Sequence, residues 1–513
     1  MTTMFAPQPS GRTGKPPKRA GALAAVALLA ALHGPVSARA NTPGPGQVLS
    51  DAKTKLPGLS HPVRVELGTV PVSAGADTPP ATAGYLSYTW PEAGVSEAAR
   101  RARPVVFAFN GGPGASAAYL QMGLLGPELA HVPQDPAAPK PASTGTIAGP
   151  AKLYDIADVV FIDPPGTGFS ERPIGPDAAP YSTVAGDAEA TADLVQQWLE
   201  RHRRLDSPLY ILGESYGTIR AVGMLDALDK RGLGANLHGM VLLGQALNMI
   251  ETSQRPDNVV TYAVSLPTLA AIACYHGMAK KPCTAETITA EAARFARTEY
   301  LPALFRGRAL PDADRQHIAA RLEELTGISA AFYLENDLRI SKERFRVELL
   351  RAKGKVLGRY DARYVADRPA EVTTMMRGDP SSSISDIFGT AMTEYLADTL
   401  EVPDAARYKT IARFEGGWSY GSADSPFSDW PFMATVERHA ESNPCLRVFV
   451  GTGIYDTTTT IGAADYLFAQ SSLPRERYRN ERYIGGHVFY SDDASRKRFQ
   501  GDLVNFIKAD RCR

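Results

Sequence analysis

Gly213-Glu214-Ser215-Tyr216-Gly217 is the stretch of this 513-residue chain best suited to chemistry. The apolar run Leu209 to Leu212 before it reads as a buried strand. Thr218 to Leu233 after it, rich in Ala, Leu and Met with charges at Arg220, Asp226, Asp229 and Lys230, reads as a helix. A G-x-S-x-G pattern between strand and helix is a nucleophile elbow, a tight turn that presents a serine. Its glycines are needed because the turn brings backbone too close for side chains. A serine hydroxyl is a poor nucleophile until a base takes its proton, and that base needs an acid to hold its tautomer. His487 is the best base: it follows a strand-like run and Gly485-Gly486, whereas His439 sits in the helical Glu437-Arg438-His439-Ala440. Asp456 is the best acid, because it follows the strand-like Leu446 to Val450 and the turn Gly451-Thr452-Gly453. Asp492 and Asp493 serve equally well as caps of the last helix.

Acyl transfer also needs N–H donors for the developing oxyanion, one after the nucleophile and one from an earlier strand-end turn. Tyr216 supplies the first. Gly112, within Asn110-Gly111-Gly112-Pro113-Gly114, suits the second. Glu214 is less expected, since an ionised carboxylate beside the serine would repel negative substrates. Held protonated, it would instead donate a hydrogen bond to a carboxylate. With the Asn110 amide it would recognise the free C-terminus of a peptide. The competing role for Glu214 is a salt-bridged structural acid.

The elements that must position these groups follow from periodicity. Pro62 to Ser73 and Gly84 to Trp90 alternate as antiparallel strands around a turn with Pro79 and Pro80. Pro104 to Phe109, Val159 to Asp163, Leu209 to Leu212 and His238 to Leu247 carry the nearly continuous apolar runs of strands buried on both faces. Helical spacing between them, as in Thr183 to Arg204, predicts an α/β domain with a mostly parallel sheet. Working groups then gather beyond the carboxyl ends of the strands, where each glycine-rich turn falls. Residues 41–60, rich in Pro and Gly, read as a loose leader, and Ser381 to Ser385 as a loop. The predicted division is a signal peptide over 1–40, core over 41–250, a mainly helical cap insertion over 251–430 and core again over 431–513.

Arg12, Lys15, Lys18 and Arg19 precede an apolar run, Ala20 to Leu32, and Ala38-Arg39-Ala40 offers a cleavage site. This predicts an exported protein, secreted or periplasmic. The run is too short to span a bilayer, and no later segment replaces it, so no stable membrane insertion is expected. The full chain has 55 basic and 55 acidic residues; removing 1–40 would leave 50 against 55, with no attraction to nucleic acid. Cys274, Cys283, Cys445 and Cys512 allow three disulfide connectivities. Cys274–Cys283 and Cys445–Cys512 are favoured, because the first closes a small loop and the second ties down the C-terminal end; isolated buried thiols are the alternative. No Cys/His cluster has metal-ligand spacing, so no metal is expected.

Together Asn110-Gly111-Gly112-Pro113-Gly114-Ala115-Ser116, Phe161-Ile162-Asp163 with Gly166-Thr167-Gly168-Phe169-Ser170, Gly213-Glu214-Ser215-Tyr216 and Gly485-Gly486-His487 resemble the serine carboxypeptidases of the α/β-hydrolase fold. The resemblance implies Ser215 as nucleophile, Asp456 as acid and His487 as base. It implies Gly112 and Tyr216 as oxyanion donors and Asn110 with Glu214 as the site for the substrate's terminal carboxylate. It also implies peptide substrates with a free C-terminus, no metal or organic cofactor, and an acidic optimum. The chain departs from the family at Ala108, where a tryptophan is usual, at Ala115, where a cysteine is usual, and at Leu124, where a glutamate partners the carboxylate-binding acid. Losing that partner predicts a weaker hold on the neutral form of Glu214. The alternatives are another α/β-hydrolase (esterase, acyltransferase or proline iminopeptidase-like) and an inactive binding homologue.

Overall fold

Strands β1 (Val48–Thr54), β2 (Val63–Val72), β3 (Ala81–Thr89), β4 (Val105–Phe109), β5 (Asp158–Asp163), β6 (Leu209–Glu214), β7 (Leu237–Leu243), β8 (Arg447–Gly453) and β9 (Tyr478–Tyr483) form one nine-stranded sheet. Its spatial order is β1-β2-β3-β5-β4-β6-β7-β8-β9. The first three strands and the β3–β5 pair run antiparallel; β5, β4, β6, β7, β8 and β9 are parallel to one another. The computed structural model describes residues 46–510 and 512, except 55–58, 60, 91–94, 139–144, 256, 371–378, 415–416 and 421–431. The predicted signal peptide lies outside the described residues.

Burial follows from the sequence pattern. β4, β5, β6 and β7 are buried at every position, as unbroken apolar runs require when helices cover both faces. On one face α1 (Val184–Arg201) and α2 (Tyr216–Lys230) pack into a core that includes Phe107, Trp198, Ile211 and Met240. The other face buries Val106, Leu212, Phe449, Phe499 and Phe506. Thr183 caps α1, its hydroxyl accepting from Gly186 N–H at 3.0 Å.

Between β7 and β8 the chain is mainly helical, from α3 (Val259–Tyr275) through α4 (Ala285–Phe295), α5 (Asp312–Thr326), α6 (Lys342–Glu348) and α7 (Ser383–Glu394) to α8 (Phe432–Ser442). A separate core around Leu269, Phe295, Leu322 and Phe345 joins its first part. After β8 come α9 (Ile461–Ala469) and, closing the chain, α10 (Asp493–Lys508).

Two expectations need correction. Residues 48–54 are not a loose leader but an edge strand, since β2 offers an unpaired row of backbone groups that even a polar segment can satisfy. Ser383 to Ser385 open a helix rather than extend a loop, and the apolar residues that follow, Ile387 and Phe388, bury that helix. The insertion also holds a two-stranded sheet, Lys355–Leu357 with Val365–Asp367, too short to show in periodicity. Disulfides join Cys274 to Cys283 and Cys445 to Cys512, the favoured pairing. No described helix is long and apolar enough to cross a membrane.

Candidate active site

β6 ends at Glu214 and α2 begins at Tyr216, so Ser215 occupies the whole turn. Its backbone sits at φ 59° and ψ −126°, a strained conformation that rigid surroundings must enforce. Those surroundings are backbone: Ser215 N–H donates to Leu243 O at 2.8 Å, and Thr218 N–H returns to Ser215 O at 2.9 Å. The turn 110–114 lies directly against the elbow. A Cβ on Gly111 would stand 2.5 Å from both Glu214 O and Tyr216 N, so only glycine fits. Gly112 follows at φ 102°. Tyr216 is the first residue of α2, where an N–H has no partner within the helix. The two predicted oxyanion donors therefore belong to backbone segments packed on each other.

His487 and Asp456 meet at 2.7 Å through Nδ1 and Oδ2. Both are buried. The Asp456 carboxylate accepts the Thr458 hydroxyl at 2.5 Å and Thr458 N–H at 2.7 Å on Oδ1, and the Thr459 hydroxyl at 2.5 Å on Oδ2. Burial alone would raise its pKa; the neighbouring imidazole and these donors outweigh it and hold the carboxyl below its ordinary value. For His487 burial pulls the pKa down, but the Asp456 carboxylate dominates and the net shift is upward. The imidazole lies over Gly244, where a Cβ would come within 3.0 Å of the ring. Gly244 adjoins Leu243, the acceptor for Ser215 N–H, so the predicted base and nucleophile flank the same strand end. Among the described residues no hydrogen bond links the Ser215 hydroxyl to the imidazole; such bonds commonly tighten only when substrate binds.

Glu214 is buried beside them. Asn110 Nδ2 and, at 3.1 Å, the Tyr490 hydroxyl both donate to its Oε2. Burial raises its pKa to about 7, against the opposing pull of His487, Tyr490 and Asn110. Leu124 is buried and contributes no acid, so desolvation is the main influence that favours the neutral form, with the charge of the Asp456 carboxylate adding to it. Asn110 itself is held at both ends: its Oδ1 accepts Leu120 N–H at 3.0 Å, and its backbone carbonyl accepts from Arg220 Nη1 at 2.6 Å. Arg220 in turn donates to Asp187 at 2.7 Å, as does the Tyr216 hydroxyl at 2.9 Å.

Residues that sequence reasoning missed do much of the holding. The insertion's segment 359–362 grips both catalytic loops. Arg359 O accepts the Thr457 hydroxyl at 2.7 Å, Tyr360 O accepts His487 N–H at 2.5 Å, and Asp361 Oδ2 accepts Gly486 N–H at 3.0 Å. Lys342 at the start of α6 donates to Thr458 O at 3.0 Å. The Thr457 to Thr460 run directly after Asp456 was a readable signal, because hydroxyls two and three residues past an aspartate suit an Asx or ST turn. Nothing local marks residues 359–362. Among the described residues no group of three or more His, Cys, Asp or Glu side chains could hold a metal ion.

Residues 90–270 match the family model described as serine carboxypeptidase. Among solved structures the chain is similar to a prohormone-processing carboxypeptidase from Saccharomyces cerevisiae, with 12% identity over 90% of this chain and 94% of that one and a TM-score of 0.52. It is also similar to a proline iminopeptidase from Mycobacterium smegmatis, at 13% identity over 86% and 97% with a TM-score of 0.38. No curated protein matches the sequence. The match and the sheet topology identify the α/β-hydrolase fold.

Proposed function

We propose, from the premise that the chain belongs to the serine carboxypeptidase family, that it is an exported enzyme removing C-terminal residues through an acyl-enzyme on Ser215. Ser215 Oγ attacks the carbonyl before the last residue while His487 Nε2 takes the hydroxyl proton. Asp456 stabilises the imidazolium that forms. Gly112 and Tyr216 N–H groups hold the oxyanion. Collapse breaks the C–N bond, and His487 returns the proton to the departing amino group. Water, deprotonated by the same imidazole, then cleaves the ester and restores Ser215.

The carboxylate of the departing residue is read by Glu214 with Asn110. The observation that carries this reading is a buried carboxyl group, pushed up to about 7, one residue from the nucleophile and fixed to Asn110. Neutral, it donates to a carboxylate; ionised, it repels one. Export rests on the N-terminal sequence pattern and accords with the two disulfides, which persist in oxidising compartments.

The test compares a blocked dipeptide with its C-terminal amide and ester. A clear preference for the free acid below pH 7 is expected, together with a covalent adduct on Ser215 from a serine-directed phosphonate. Equal turnover of all three compounds would refute carboxylate recognition, and absence of the adduct would refute the nucleophile.

A further inference from the structure

Glu214 has two oxygens in unlike surroundings. Oε2 receives both available donors, Asn110 Nδ2 and the Tyr490 hydroxyl, whereas Oε1 is buried with no hydrogen-bond partner among the described residues. The amide cannot be turned round, because Asn110 Oδ1 is already committed to Leu120 N–H. A neutral carboxyl whose one oxygen is filled by donors must carry its proton on the other. That proton belongs on Oε1, and a buried donor without an acceptor costs free energy until one arrives.

The Tyr490 hydroxyl is aimed by its ring. Tyr490 is fully buried, and its ring lies against Phe388 of α7, with ring centres 6.1 Å apart. Its edge fills the space at Gly123, where a Cβ would stand 2.5 Å from Cε2. Gly123 adjoins Leu124, the position that lacks the expected acid. The tyrosine thus reaches Glu214 from the turn after His487 and lies against the very segment that fails to supply a carboxyl.

We propose that Tyr490 is the positioning residue for C-terminal carboxylate recognition: with Asn110 it occupies Glu214 Oε2, confining the acid's proton to Oε1 for donation to the substrate. This rests on the proposed role of Glu214. The other titratable groups facing Glu214 are His487 and Asp456 from the loops after β9 and β8 and Tyr119 from the segment after the oxyanion turn. Among the described residues, only the Tyr490 and Asn110 donors touch its oxygens. Tyr490 stabilises the ionised form, so removing its hydroxyl moves Glu214's titration upward in pH.

Tyr490→Phe keeps the ring in its slot and deletes only the donor; an unchanged melting temperature checks that the variant is folded. KM and kcat are measured from pH 5 to 9 on a blocked dipeptide and on its C-terminal amide. For the wild type, KM on the acid rises through Glu214's titration and KM on the amide stays flat. In Tyr490→Phe that rise is expected to move up by about one pH unit, one hydrogen bond to the charged form being lost. At pH 5, where Glu214 is neutral in both enzymes, KM on the acid should rise about tenfold, because the proton is no longer confined to Oε1. Amide kinetics should change by less than about twofold. An unmoved midpoint, or equal losses on both substrates, overturns the proposal. If the wild type itself shows no pH-dependent KM on the acid, or Glu214→Gln keeps one, the Glu214 reading fails and the role of Tyr490 falls with it.

Discussion

The two halves of the candidate active site are built by different means. The nucleophile half is backbone against backbone: β6, the turn 110–114 and the first turn of α2 touch through glycines, and a buried Arg220–Asp187 pair locks the underside. The acid–base half is held by side chains and by a distant segment. Thr458 and Thr459 ring the Asp456 carboxylate, and residues 359–362 of the insertion fasten the loops of both Asp456 and His487. A strained serine tolerates no displacement, so the continuous sheet must define it. An imidazole that shuttles protons can sit on loops, provided something outside the sheet fixes them. In this chain the insertion is that support, through the hydrogen bonds of residues 359–362.

Breaking the acid–base half should cost rate, and breaking the nucleophile half should cost stability. Asp456→Asn is expected to lower kcat by about 10⁴-fold, because the amide favours the wrong imidazole tautomer. Steady-state kinetics beside an unchanged urea midpoint would check it; a comparable loss of stability would blur the contrast. Arg220→Met leaves Asp187 buried without its cation and should cost about 3–5 kcal/mol of stability. It also frees the Asn110 carbonyl, so KM on free-acid substrates should rise along with the fall in the urea midpoint.

Between these lies a pH effect that belongs to both halves. In its proposed role His487 acts as a base only when neutral, and its pKa is raised, so kcat/KM is expected to climb with pH through a limb above the usual histidine value. In its proposed role Glu214 binds a carboxylate only when neutral, so the opposite limb is expected to fall as pH passes about 7. The two groups interact, so the limbs report the pair. A narrow bell near neutrality is expected on the free acid, losing about tenfold per pH unit far out on each limb. On the ester the alkaline limb should vanish. The protonation state also affects stability: a raised carboxyl pKa makes the folded form less stable as pH climbs from the unfolded value of 4.5 through about 7, and Glu214→Gln should flatten that decline in a melting series. The smallest effect belongs to the threonine collar. Thr459→Val removes one hydroxyl from Asp456 and should cost about tenfold or less in kcat/KM, one hydrogen bond to a charged group.

Much of this is legible in the sequence. The central strands are legible because a strand buried on both faces must be apolar along most of its length, and β4 to β7 are. Ser215 is legible because its turn demands glycines on either side, a local requirement. β1 was not, since a polar edge strand is specified by its neighbour's open backbone groups rather than by its own pattern. Tyr490 was not either: it shares no local pattern with Glu214, 276 residues away.

Sequence alone determined the chemistry on offer: a strained serine, a histidine after paired glycines, an aspartate after a strand, and a carboxyl beside the nucleophile. These depend on short-range geometry, which residue types and spacing specify. Tertiary structure decided how each group behaves. Whether Glu214 is neutral depends on burial and on donors from Asn110 and Tyr490, and whether His487 and Asp456 meet depends on a segment more than ninety residues from either. Desolvation and long-range hydrogen bonds exist only once the chain has closed on itself.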